Sequence, residues 1–120
     1  MWVVDLHAAF LDELLRLDRS VRIAIFANIG LLEAYGPRLG RPQVDTLAAS
    51  KYRNMKEMRI TVPSGEWRVA FAFDPRRAAI LLVAAKKSGV SQSLFYKRLL
   101  QDADRRYGEH LRTLDDRSGR

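Results

Sequence analysis

Apolar and polar positions alternate with a period of two over two adjacent stretches of the chain. Within residues 57–62, Met58, Ile60 and Val62 share one side, and Glu57, Arg59 and Thr61 share the other. Within residues 66–73, Trp67, Val69, Phe71 and Phe73 alternate with Glu66, Arg68, Ala70 and Ala72. This alternation predicts two half-buried strands. Pro63-Ser64-Gly65 between them supplies turn chemistry. Keeping both apolar sets on one face fixes the register: Thr61 pairs with Glu66, Ile60 with Trp67, and Arg59 lies opposite Arg68. Like charges directly opposite each other in a sheet are unfavourable. The arrangement is useful if something anionic lies across it; otherwise the two arginines simply splay into solvent.

The remaining pattern places helices on either side of this hairpin. Residues 3–6 read as a short first strand. Residues 8–17 read as a helix with Phe10, Leu14 and Leu17 on one stripe. Asp18 is a candidate N-cap for a second helix that repeats Val21, Ile25, Ile29 and Leu32 and stops at Gly36-Pro37. His7 fits a surface or capping position, and no role is assigned to His110. Residues 38–53 read as loop. Asp74-Pro75-Arg76-Arg77 makes the next turn, and the near-continuous apolar run 78–85 predicts a central strand covered on both faces. Pairing Phe73 with Ala78 would put Ile80 and Leu82 in the core with Phe71 and Val69, and Leu81, Val83 and Lys87 on the face of Arg59 and Arg68. Ser91 is a candidate N-cap for a last helix whose stripe is Phe95, Leu99, Ala103 and Tyr107. The fold class is α+β, one domain over residues 1–111 with a polar, frayed tail over 112–120.

Charge changes the picture. The chain carries +7 overall, unevenly placed. Residues 1–35 hold 3 Lys/Arg against 5 Asp/Glu, residues 36–100 hold 13 against 4, and residues 101–120 hold 5 against 5. The excess centres on the hairpin and its flanks, which suits a polyanion-binding face; a solubilising surface or an acidic protein partner is the competing explanation. Cysteine is absent, which excludes disulfides and thiolate chemistry and fits a reducing, cytoplasmic setting. No signal peptide or membrane-spanning run is evident, and no His/Asp/Glu cluster has metal-ligand spacing. No cofactor is expected.

Lys51, Tyr52, Arg53 and Lys56 combine cations with an aromatic, a composition suited to holding phosphates and stacking a base; an ordinary exposed loop has the same composition. Tyr96 and Lys97 turn off the apolar stripe of the last helix, toward Lys87.

Several short motifs come in a set order: Leu39-Gly40-Arg41-Pro42, Asp45-Thr46-Leu47, Lys56-Glu57-Met58-Arg59, Gly65-Glu66-Trp67-Arg68-Val69-Ala70-Phe71-Ala72-Phe73-Asp74-Pro75, Lys86-Lys87-Ser88-Gly89 and Phe95-Tyr96. Together they resemble the phage-derived Gp49-like, HigB-like branch of the RelE/ParE toxin superfamily, from about Trp2 to Leu111. The resemblance implies a RelE-like fold: two N-terminal helices packed on a small antiparallel sheet, with a C-terminal helix. It implies a type II toxin that cuts messenger RNA, generally on the ribosome, without a metal. It also implies a cognate helix-turn-helix antitoxin as partner. Carried over residue by residue, Arg68 would grip the scissile phosphate, Lys56 and Arg59 match basic positions of the preceding strand, Lys87 the basic residue that ends the central strand, and Tyr96 the aromatic of the last helix. Lys51, Tyr52, Arg53, Lys86 and Lys97 would contact RNA. Lys86 stands where close relatives often carry an acid. Neither histidine falls in this site, so a lysine or tyrosine with a pKa depressed by neighbouring cations would act as base or acid. The alternative is a toxin-fold module that binds RNA or protein without cutting.

Overall fold

The computed structural model describes residues 1–118. Five strands form one sheet in the order β1-β5-β4-β3-β2: β1 Val4–Leu6, β2 Val44–Thr46, β3 Met55–Val62, β4 Gly65–Phe73 and β5 Ala79–Lys86. Three helices accompany them, α1 Ala8–Leu14, α2 Arg19–Tyr35 and α3 Gln92–Ser118.

The central hairpin has the register expected from its alternation: Thr61 opposite Glu66, Ile60 opposite Trp67, Arg59 opposite Arg68. Its apolar side buries Met58, Ile60, Val62, Val69 and Phe71 against Phe10, Leu14, Val21, Ile25 and Leu32 of α1 and α2. The opposite side carries a second core. There Met55, Ala70, Ala72, Ile80 and Leu82 meet Phe95, Leu99, Ala103 and Tyr107 of α3. Helices therefore cover both faces, and α3 occupies the apolar part of the Arg59/Arg68 face.

The expected pairing of Phe73 with Ala78 is corrected to Phe73 with Ala79. The buried Asp74 carboxylate accepts hydrogen bonds from the Arg76 and Ala78 amides, and its own amide donates to the Ala78 carbonyl. The turn therefore keeps Ala78 out of the ladder. As a result Ala79 and Leu81 join Phe71 in the first core, whereas Ile80 and Leu82 face α3. A bulge then shifts the register, so that Phe71 pairs with Leu81 but Ala70 with Val83. One extra residue in a strand reverses the facing of everything after it. Val83 thus lies on the Arg68 face as expected, and Leu81 does not.

Three further expectations change. The 38–53 stretch holds strand β2, paired antiparallel with β3. The sheet is not wholly antiparallel, because β1 runs parallel to β5. α3 continues to Ser118 with Leu114 buried, so residues 112–118 are helix rather than tail; residues 119 and 120 lie outside the described residues. α1 ends at Leu14, short of the expected residue 17, because Arg16 and Leu17 donate to carbonyls three residues back. His7 caps α1, its Nδ1 accepting from the Ala9 amide at 3.1 Å. Asp18 occupies the N-cap position of α2 without a side-chain capping bond, and Ser91 Oγ accepts from the Leu94 amide.

Around the β5 edge, Arg106 joins α3 to α1. Its guanidinium grips both Glu13 oxygens at 2.8 and 2.6 Å and donates to the Leu82 carbonyl left free beside the bulge. This residue was missed, although it extends the Phe95, Leu99, Ala103 stripe by three positions.

At the end of α2, Gly36 has φ +55°, and a Cβ there would collide with the indole of Trp2. Gly36→Ala is expected to combine a poorly populated backbone conformation with displacement of Trp2. The loss should be at least about 2 kcal/mol, read as a fall in thermal midpoint together with a changed tryptophan emission. A variant melting with the parent would refute this packing.

Candidate active site

The β3–β4 register sets Arg59 and Arg68 side by side, and the chain supplies the anion that lies across them. Glu57, two residues before Arg59 and so on the same side of β3, is only 4% exposed. One of its oxygens is 3.4 Å from Arg59 Nη2, and the other is 3.6 Å from Arg68 Nε. Tyr96, near the start of α3, donates its hydroxyl to that second oxygen at 2.7 Å. Two outer carboxylates complete the arrangement. Asp45 of β2 lies 3.3 Å from Arg59 Nη2, and Glu66 lies 3.1 Å from Arg68 Nη1. Glu66 also accepts from Thr61 Oγ1 at 2.7 Å. Arg68 is 7% exposed and donates to the Trp67 carbonyl as well. Among the described residues, Arg59 Nε and Arg68 Nε are buried without a hydrogen-bond partner. The site thus keeps unused donors behind a screen of carboxylates.

Electrostatics follow from these contacts. The Glu66 carboxyl is held below its ordinary value by hydrogen bonds from Thr61 and Arg68. For Arg68, burial favours the neutral form, but the neighbouring Tyr96 oxygen, the hydrogen bond to Glu66 and the Glu57 charge reverse this and hold the guanidinium above its ordinary value. The Tyr96 phenol is pushed up, first by burial and then by its hydrogen bond to Glu57. The expectation that nearby cations would depress Tyr96 toward a base is therefore corrected: burial and a carboxylate outweigh them.

The other expected site residues divide. Lys87 lies beside Tyr96, its Nζ 5.6 Å from the ring centre, a cation–π distance. Lys56 alternates to the opposite side of β3 and reaches Thr46 Oγ1 at 3.4 Å; the pleat separates it from Arg59 and Arg68. Lys86 pairs across from Trp67, so it too points away from Arg68. Lys97 lies with Tyr96 on a cleft of about 510 Å³ beside α3. Lys51, Tyr52 and Arg53 sit beyond the N-terminal end of β3. Tyr52 packs edge-on against Tyr107 with ring centres 4.8 Å apart, and Lys51 lies over its ring. Glu57 and Asp45 were not singled out as site residues. The period-two pattern did place Glu57 beside Arg59, whereas Asp45 was hidden by the unrecognised edge strand. A second cleft, of about 290 Å³, opens onto Glu57, Arg59, Tyr96 and Gln92. Among the described residues, no group of three His, Cys, Asp or Glu could hold a metal, and no helix is long and apolar enough to cross a membrane.

Residues 12–108 match the family model described as phage derived protein Gp49-like. The chain belongs to the Gp49-like family. Within it, this Gp49-like chain is similar to two proteins of Mycobacterium tuberculosis. It is 40% identical to "Putative toxin HigB2" over 118 residues, covering 96% of the chain and 57% of that protein's length. It is 43% identical to "Putative toxin HigB3" over 91 residues, covering 75% and 76% respectively. Its fold is that of the isolated Escherichia coli RelE toxin, with TM-score 0.50 at 17% identity over 83% of this chain and all of that one. A doubly substituted RelE in the free state superposes with TM-score 0.56 at 13% identity, over 83% and 94%.

Two measurements address the site. Glu57→Gln removes the charge between two arginines while keeping the shape. Breaking a buried ion pair on one side costs about 3–5 kcal/mol, so a fall in thermal midpoint on the order of 10 °C is expected; a shift below about 2 °C would show that Asp45 and Glu66 suffice. In an alkaline absorbance titration, Tyr96 and Tyr107, both raised mainly by burial, should ionise above the ordinary value of 10.0. Tyr96→Phe should remove one of these two late components. The sign also fixes stability: the contribution from neutral Tyr96 is present below pH 10 and is lost as pH rises through its raised value.

Proposed function

We propose that this chain is the toxin of a type II toxin–antitoxin pair, a metal-independent endoribonuclease that cuts messenger RNA on the ribosome in the cytoplasm and is neutralised by a helix-turn-helix antitoxin. One observation carries the reading: Arg59 and Arg68 sit in register with a neutral tyrosine hydroxyl between them and α3, in a chain of the Gp49-like family.

In this reading the 2′-hydroxyl oxygen of RNA attacks the adjacent phosphorus, and the P–O5′ bond breaks. A phosphate oxygen takes the place of the exposed Glu66 carboxylate on Arg68 Nη1. Arg68 and Arg59 then stabilise the negative charge that develops on the phosphorane. Tyr96, protonated at neutral pH, gives its proton to the departing 5′-oxygen, and Lys87 over its ring stabilises the phenolate that forms. Glu57 is the acceptor for the 2′-hydroxyl proton. It holds both arginines and the tyrosine in one geometry, so acid and base share a hydrogen bond. Lys56, on the other side of β3, has no part in these steps.

A non-catalytic binding module with the same fold is favoured by one observation. Tyr96 is shifted away from, not toward, a functioning base.

Primer extension on a message in a cell-free translation reaction, with and without ribosomes, separates the readings. Wild-type cuts on translated message support the first. Arg68→Lys keeps the charge and loses the forked geometry; it should cut about 10²–10³-fold more slowly while melting near wild type. Arg68→Ala should lose both cutting and stability, because it leaves Glu57 short of a partner. Wild-type rates from Arg68→Lys would remove Arg68 from the proposal, and absence of cuts from folded wild-type protein would establish the binding module.

A further inference from the structure

Part of the net charge of +7 lies away from the hairpin arginines. Arg59 and Arg68 are matched by Asp45, Glu57 and Glu66, with Lys86, Lys87 and Lys97 nearby. A second group of cations lies at the other end of the sheet. Lys51, Arg53, Arg76, Arg77 and Arg112 are all exposed, and among the described residues none makes an ion pair with an acidic side chain.

The fold gathers these five from three separate segments. Asn54 donates to the Phe73 carbonyl at 2.6 Å and to Tyr107 Oη at 3.0 Å, which seats the 51–54 loop against both the end of β4 and α3. The turn after β4 carries Arg76 and Arg77. Arg77 stacks over the Trp2 ring at 4.9 Å, and Lys51 over Tyr52 at 5.3 Å. Tyr52 Oη and Arg112 Nη1 both lie close to Gly108 of α3, bringing Arg112 to the same loop. Nearby carboxylates are already engaged: Asp74 is buried and bonded to His110 at 2.8 Å, and Asp104 accepts from Ser50 and the Lys51 amide.

We infer that this pole is a second RNA-binding surface, which holds the phosphate backbone without reading sequence and adds to the affinity of the Arg59/Arg68 site. The separation supports two distinct contacts. Arg68 and Phe73 are five residues apart on β4, about 17 Å at the rise of a strand, and the basic turn lies beyond. A stacked strand advances about 3.4 Å per nucleotide, so an RNA engaging both ends must span roughly five nucleotides or more. The pole is mainly cationic, with Met1 and Val3 beside Trp2 and Arg77 as its apolar part; a protein partner is the alternative that the antitoxin comparison below separates. Other exposed large apolar side chains, Leu11, Leu15, Ile23 and Phe26, lie on α1, α2 and their connection. The inference shares with the preceding proposal that RNA is the ligand, and does not require that the RNA be cut.

The test is equilibrium binding of fluorescent single-stranded RNA of 3 and 12 nucleotides, 2′-O-methylated throughout to block cleavage, across a salt series. Arg53→Gln/Arg76→Gln/Arg112→Gln touches no hydrogen bond or ion pair described here and should melt as wild type. It is expected to bind the 12-mer at least tenfold more weakly near 0.1 M salt. Its salt slope should shrink by about 2, from three lost phosphate contacts at about 0.7 each, with no change for the 3-mer. Arg68→Lys should leave 12-mer binding within about twofold. A triple variant that binds the 12-mer with wild-type affinity and slope overturns the inference. So does one that keeps RNA binding but loses its antitoxin, since the pole would then belong to the protein partner. If wild type cuts nothing yet shows the pole-dependent slope, the cleavage proposal fails and this one stands.

Discussion

A single carboxylate, Glu57, makes the central hairpin possible. Its strand register forces Arg59 and Arg68 into direct opposition, an arrangement that repels unless an anion intervenes. Glu57 provides that anion from within the strand, nearly buried and touching both guanidinium groups and the Tyr96 hydroxyl. It therefore ties β3, β4 and α3 together at one point. A buried charge of this kind costs desolvation and is retained only when every partner is in place. The same contact fixes the geometry of the candidate site, so stability and chemistry there are coupled through one residue.

Around that point the fold uses polar side chains as fasteners at places where the ladder is interrupted. Asp74 holds the turn before β5 and, through His110, docks it to α3. Arg106 takes the Leu82 carbonyl exposed beside the bulge and clamps α1 to α3 through Glu13. Both satisfy backbone groups that would otherwise be buried without partners. Alternation lets β5 serve two cores, Ala79 and Leu81 facing α1 and α2 and Ile80 and Leu82 facing α3, and the bulge adds Val83 to the α3 side.

Charge in this molecule separates into two regions with different physical character. At the Arg59/Arg68 end, cations and carboxylates alternate with strong local directionality, and Lys86 and Lys87 lie beside them. At the opposite pole, five cations make no ion pair with an acidic side chain among the described residues. A polyanion would be drawn to the second by long-range attraction and released counterions. It would interact with the first only by displacing a carboxylate. The two regions thus differ in what they suit: one long-range attraction, the other local orientation.

The sequence by itself determined what depends on neighbours along the chain. Period-two alternation fixed the Arg59–Arg68 opposition, helical spacing fixed the buried stripes of α1, α2 and α3, and the ordered motifs pointed to the family. These were legible because alternation and helical repeat are set by backbone geometry within a few residues. Tertiary structure decided what depends on groups far apart in sequence. The turn length chosen by Asp74 sets which face Leu81 takes, the bulge at Leu82 sets which face Val83 takes, and the three-residue strand β2 forms only because β3 offers it an edge. The surroundings of Lys56, Tyr52 and Tyr96 were set in the same way: the pleat carried Lys56 to the other side, Tyr52 packed edge-on against Tyr107, and burial and the Glu57 hydrogen bond raised Tyr96 instead of lowering it. Each of these outcomes depends on which groups share a desolvated space, and that is known only once the chain has folded.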